Sequence, residues 1–185
     1  VGRTLCIPLP GNRKLFLRIF IRRRDPVWVT GISAKTPEGY VVFLDYDCSP
    51  PEAVFDDVER LQEFFQLGPA YVFQTWARGF HVIIPEVYPL HRVFEIISES
   101  NCDPMFAQGY RLNPYRTWVL RCDSKGEKGP PVFIRTIRSP YVSNVKSLGH
   151  LQYLASRGVP EDDLIWEPND GYSGVIIDRY LTKRW

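Results

Sequence analysis

An α+β fold is predicted by three features of this 185-residue sequence: short apolar runs rich in branched and aromatic residues, two segments with apolar residues at helical spacing, and the order in which the two patterns alternate. With 44% hydrophobic residues the chain can close one good core, whereas two independent domains would each be small. A single domain over residues 1–185 is therefore expected.

The first run, Lys14 to Ile21, reads as a strand ending in arginines, and Val27 to Thr30 as a second, so that residues 1–38 make a small N-terminal strand module. Gly39 to Asp47 is apolar without a break until its polar end and too short for a typical helix, the pattern of a strand buried on both faces. Pro50-Pro51-Glu52 starts a helix, because Pro is tolerated in the first turn. Val54, Val58, Leu61, Phe64 and Phe65 then recur at helical spacing until Gly68-Pro69 stops it. Ala70 to Thr75 and Phe80 to Pro85 form a hairpin through Trp76-Ala77-Arg78-Gly79. Pro89 opens a second helix, with Leu90, Val93, Phe94 and Ile97 on one side, closing near Asn101. Thr117 to Arg121 and Val132 to Ile137 are the last strands of a core over 39–140. The extension over 141–185 offers a helix from Val145 to Ser156 and a strand from Val175 to Tyr180.

Read from Tyr40, the order is β-α-β-β-α-β, the split βαβ arrangement of ferredoxin-like and RNA-recognition (RRM) folds. Its first and third strands lie adjacent at the sheet centre. That topology sets the end of the Asp45/Asp47 strand beside Gly79-Phe80-His81, distant in sequence.

A net charge of +2 excludes a uniformly basic coat for nucleic acid, so phosphate binding would come from local clusters. Arg22-Arg23-Arg24 is one; Arg111, Arg116, Arg121, Lys125 and Lys128 form the other. Either is also compatible with a solvated face. The 14% aromatic content exceeds what a core needs and permits stacking surfaces for bases. Cys6, Cys48, Cys102 and Cys122 are widely and irregularly spaced without a CxxC, which speaks against a zinc knuckle or a secreted disulfide framework and for reduced thiols inside a cell. No signal-peptide pattern opens the chain and no apolar stretch approaches a membrane span, so a soluble protein is expected.

Residues two apart in a strand share a face, so Asp45 and Asp47 would present two carboxylates together while Tyr46 points away. Two adjacent anions at the end of an apolar strand are unfavourable unless a cation neutralises them, and hard divalent ions prefer such oxygen ligands together with phosphates. An isolated DxD is weak, since two solvated aspartates starting a loop are commoner. His81, just inside its strand, would come beside the acids and can donate a hydrogen bond to a phosphate. Gly79 permits close backbone approach. Asp103 and Asp123 are both candidates for a third acid, and both also suit a turn or cap. His91 and His150 read as ordinary surface or packing residues.

This set resembles the archaeo-eukaryotic primase superfamily: an apolar strand ending in DxD (Phe43-Leu44-Asp45-Tyr46-Asp47), a small-x-His segment (Gly79-Phe80-His81, preceded by Arg78), an apolar-Asp pair (Cys102-Asp103), and Arg116…Trp118-Val119-Leu120-Arg121…Ser124-Lys125. The resemblance covers roughly the middle half of the chain. It implies a DNA primase or polymerase, a template-directed nucleotidyltransferase using Mg2+ or Mn2+, with Asp45, Asp47 and Asp103 as metal ligands and His81 on the nucleotide. Arg78, Gly79, Arg116, Arg121 and Lys125 would support the triphosphate. Asp103 is preferred to Asp123 because relatives place the acid before the apolar-Leu-Arg strand. Implied partners are nucleoside triphosphates, a single-stranded or primed DNA template and a helicase or other replication protein, in the cytoplasm or nucleoid of a cell or from a plasmid or virus. Only about forty residues precede the DxD, fewer than relatives carry, and Gly79 stands where they often have Ser.

A non-catalytic module binding single-stranded nucleic acid on the same sheet is the alternative, although its central strands carry acids rather than a glycine-aromatic signature. A rolling-circle endonuclease needs paired histidines around an apolar residue, and no His-x-His occurs.

Overall fold

The computed structural model describes residues 2–9, 13–20, 27–76, 79–112, 116–125, 127–141, 145–164 and 177–182, with side chains from residue 30 to 164 of these. Two compact units emerge, one of residues 1–27 with 182–185 and the other of residues 28–181. The first holds an antiparallel hairpin of β1 (Gly2–Leu9) and β2 (Arg13–Phe20), registered Gly2 against Phe20 and Leu9 against Arg13. The Arg22-Arg23-Arg24 cluster lies outside the described residues.

The second unit is α+β with antiparallel pairing. Its elements are β3 (Val27–Ser33), β4 (Tyr40–Tyr46), α1 (Pro51–Phe65), β5 (Ala70–Gln74), β6 (Phe80–Tyr88), α2 (Leu90–Glu99), the one-turn α3 (Pro104–Ala107) and α4 (Gly109–Leu112), β7 (Val119–Arg121), β8 (Val132–Ile137), α5 (Leu148–Ser156) and β9 (Ile177–Thr182). Four strands form one sheet in the order β4-β6-β5-β8, and three form another in the order β7-β3-β9. The first and third strands of the expected core, β4 and β6, are neighbours as the split arrangement requires. Two details differ. β4 lies at the end of its four-stranded sheet rather than at the centre, and the 117–121 segment contributes only the short β7, which pairs with β3 (Ile32 against Leu120) instead of joining β4. The chain can do this because β3 turns directly into β4: Thr36 N–H donates to Gly39 O at 2.8 Å and Val41 N–H to Ala34 O at 2.9 Å.

β4 and β6 are buried along nearly their whole length, which is why their sequences run apolar without alternation. On one face, Tyr46 reaches α1, whose buried stripe is Val54, Asp57, Val58, Leu61, Gln62 and Phe65. Phe64, expected on that stripe, instead faces solvent at 70% exposure with its ring edge-on to Phe65, while Asp57 and Gln62, two polar residues that find partners inside, join the stripe. On the other face, Phe43 packs edge-on against His150 of α5 with ring centroids 5.5 Å apart. Pro85, expected to end its strand, sits where the β4/β6 register slips between Val42 and Tyr40, so a missing N–H is tolerated and β6 continues to Tyr88. Much of the aromatic surplus goes into packing: Tyr40, Phe94, Tyr110 and Trp118 stack edge-on or tilted with centroids 5.0 to 6.5 Å apart. No helix among the described residues is long and apolar enough to cross a membrane.

Candidate active site

Strand register builds the site. Asp45 lies opposite His81, His81 opposite Phe73, and Phe73 opposite Phe133, so one row crosses all four strands from an acid to an imidazole to two rings. In antiparallel sheets directly opposed residues share a face and their side chains touch. His81 Nε2 stands 3.7 Å from Asp45 Oδ1, too far for a hydrogen bond.

Asp45 is the electrostatic centre. Its side chain is 27% exposed, and burial, reinforced by Asp47 and Asp103, raises its carboxyl from 3.8 to about 7, while Arg121 and Lys128 pull the other way. The two acids of the motif therefore act on each other, and Asp103 joins them. A backbone hydrogen bond brings it there: Asp103 N–H donates to Asp45 O at 2.7 Å. Asp103 also caps α3, its Oδ1 accepting from Met105 N–H at 3.0 Å, so the turn role and the site role coexist in one side chain. Asp123 is exposed, and its charge acts on Arg121. Asp47 is exposed just past the strand end.

Gly79 belongs to the same spot. A Cβ there would come 2.5 Å from Thr75 Oγ1 and 3.7 Å from Asp47 Oδ1, so the glycine makes room for the threonine hydroxyl beside the acid. The turn is closed by Gly79 N–H to Trp76 O at 2.8 Å and Thr75 N–H to Gly79 O at 2.9 Å, with Trp76 half exposed at its tip. Arg78 lies outside the described residues.

Burial lowers the His81 imidazole to about 3, with the Arg121 charge adding to the effect, so the ring is neutral and keeps one N–H to give. Arg121 is held in place by donating to Gly129 O at 2.8 Å and to Asp123 O. Arg116 is exposed, in a left-handed backbone conformation at φ 52°. Lys125 and Lys128 exchange backbone hydrogen bonds of 2.8 and 3.1 Å across a tight hairpin, and the Lys128 charge acts on Asp45. The sequence places both lysines in one basic cluster and gives the triphosphate role to Lys125, and a Lys-x-x-Lys hairpin sets both on one face.

The donor chemistry fits a hard divalent cation: carboxylate oxygens from two chain segments, with Asp45 raised in pKa by burial and by the neighbouring Asp47 and Asp103. Among the described residues no group of three His, Cys, Asp or Glu side chains is placed to hold a metal ion. No protein-family model matches the chain, and no curated protein or solved structure matches it.

Proposed function

We propose that this chain is a metal-dependent nucleotidyltransferase that joins nucleoside triphosphates on a nucleic-acid template, in the manner of a DNA primase or primase-polymerase. The observation that carries this reading is the Asp45 carboxyl, held at about 7 by burial and by Asp47 and Asp103, an arrangement that a bound cation would relieve. Adjacency of β4 and β6 supports an RRM/ferredoxin-like core beneath it.

Asp45, Asp47 and Asp103 would hold Mg2+ or Mn2+, which when bound supplies Lewis-acid polarisation of the α-phosphate and charge for the attacking and leaving oxygens. The residues of the chain do the positioning. Neutral His81 donates its N–H to a phosphate oxygen, and Gly79 lets the nucleotide approach the backbone closely. Arg121 and Lys128, whose charges act on Asp45, would meet the negative charge that the triphosphate brings. Trp76, half exposed at the β5/β6 turn, offers a ring for a template base.

The deciding experiment combines wild type or Asp45→Ala/Asp47→Ala protein with Mg2+ or Mn2+, single-stranded or primed DNA template and labelled nucleotides. Wild type incorporates nucleotide, and the double variant loses at least about a thousandfold of that activity while still binding DNA. Wild type that binds DNA and never incorporates nucleotide defeats the enzyme reading in favour of a binding module.

A further inference from the structure

Tyr46 sits between the two motif acids and points to the opposite face, where its hydroxyl donates to Asp57 Oδ2 at 2.8 Å. Asp57 lies on α1 with its side chain 1% exposed. Three more donors converge on it. Asn101 gives its backbone N–H to Oδ2 at 2.8 Å and its side-chain amide to Oδ1 at 2.9 Å, and Arg60 gives Nη2 to Oδ1 at 2.6 Å. Arg60 Nη2 also donates to Glu99 O at 2.6 Å, at the end of α2. Both carboxylate oxygens are thus saturated by groups from β4, α1 and the loop after α2.

Two of those three segments carry acids of the site. Tyr46 is bonded directly to Asp45 and Asp47, and Asn101 stands two residues before Asp103, whose amide bonds Asp45 O. We propose that Asp57 is a positioning residue for the acid cluster, a buried carboxylate on the helix side of the sheet that clamps the Asp45/Asp47 strand end to the Asp103 loop. This rests on the metal reading above. The physical reason is lever length: freeing Asn101 releases the backbone only two residues from Asp103, and metal ligands displaced by about an ångström lose most of their affinity. A hydrophobic residue at 57 would still pack α1 on the sheet but would leave the buried Tyr46 hydroxyl, and the Asn101 N–H groups beside it, without their acceptor.

Two variants of the full chain test the clamp, Asp57→Asn and Tyr46→Phe, each read by amide hydrogen exchange at Asp103 without metal and by Mn2+ titration. Asp57→Asn keeps the shape but turns an amide NH2, a donor, toward the donors Arg60 and Asn101. It speeds Asp103 exchange and weakens Mn2+ binding by about tenfold or more. Tyr46→Phe shifts both readouts the same way by a smaller factor. Should Asp57→Asn fail to fold, Tyr46→Phe carries the test, since it leaves Asp57 with its other three donors. Unchanged Asp103 exchange and Mn2+ affinity, with only a lower unfolding temperature, overturns the proposal and makes Asp57 a stabiliser of the fold alone. Faster Asp103 exchange with wild-type Mn2+ affinity overturns it as well. Wild type that binds no Mn2+, with Asp103 still released by Asp57→Asn, sinks the metal reading while supporting the clamp.

Discussion

His81 stands on β6 and His150 packs on the same sheet from α5; both are buried and neutral, yet their surroundings differ. His150 has both ring nitrogens engaged, Nδ1 with Ser147 Oγ at 2.6 Å and Nε2 with Ser33 O at 2.9 Å, and burial lowers it to about 4. His81 is buried too, but its Nε2 stands 3.7 Å from Asp45, beyond hydrogen-bond reach, and that carboxylate is crowded by burial and by Asp47 and Asp103. A buried polar group with every partner in place serves the fold, whereas one left waiting beside a crowded acid is poised for a ligand. Asp57 belongs with His150 in the first class, and Asp45 with His81 in the second.

The largest effect that sharpens this contrast is expected at Asp45. Its carboxyl is raised from 3.8 to about 7 in the folded chain, so the unfolded state loses its proton first as pH climbs. Stability is therefore full below pH 3.8 and falls between 3.8 and 7, by on the order of 4 kcal/mol without metal. Asp45→Asn should raise the metal-free unfolding temperature at pH 8, have no effect near pH 3.5, and abolish Mn2+ binding. Equal melting of the two proteins at pH 8 would return Asp45 to the class of satisfied groups.

His150 should behave in the opposite sense. Its folded value lies below the ordinary 6.5, so the stability it supplies is present above 6.5 and lost as pH falls toward about 4, roughly 3 kcal/mol in all. His150→Ala costs about 2–4 kcal/mol at pH 7 by stranding the Ser33 carbonyl and Ser147 hydroxyl, with nucleotide affinity untouched. Denaturant unfolding at several pH values checks both parts.

His81→Gln removes a ring that has no hydrogen bond to Asp45 to break. The unfolding temperature should stay within a few degrees of wild type while the KM for nucleotide rises about tenfold, near the strength of one good hydrogen bond to a charged group. A large loss of stability with unchanged KM would place His81 beside His150. The smallest change is expected for Trp76→Ala, which should weaken single-stranded DNA binding by about fivefold, around 1 kcal/mol, and leave nucleotide KM alone.

Continuous apolar runs identified β4 and the start of β6, and Pro with helical spacing identified α1 and α2, because local pattern controls burial where an element is enclosed on both sides. The alternation of Asp45, Tyr46 and Asp47 followed from strand geometry alone. What the sequence could not supply was pairing. It assigned the 117–121 segment to the main sheet, whereas β7 pairs with β3, since hydrogen bonding between distant strands has no signature in either strand by itself. The same holds for charge: Asp103 and Asp123 suited turns equally well, and the backbone bond from Asp103 N–H to Asp45 O set one beside the acids. Nothing in the sequence marks Asp57, on which Tyr46 and Asn101 meet only in the folded chain.

By itself, then, the sequence determined which residues could be strand, helix, acid or base, because those properties depend on neighbours one to four positions away. Tertiary structure decided which of them share a few ångströms of low-dielectric space. That closeness turns an ordinary aspartate into one with a pKa of about 7, an interaction set by distance and burial that chain order does not encode.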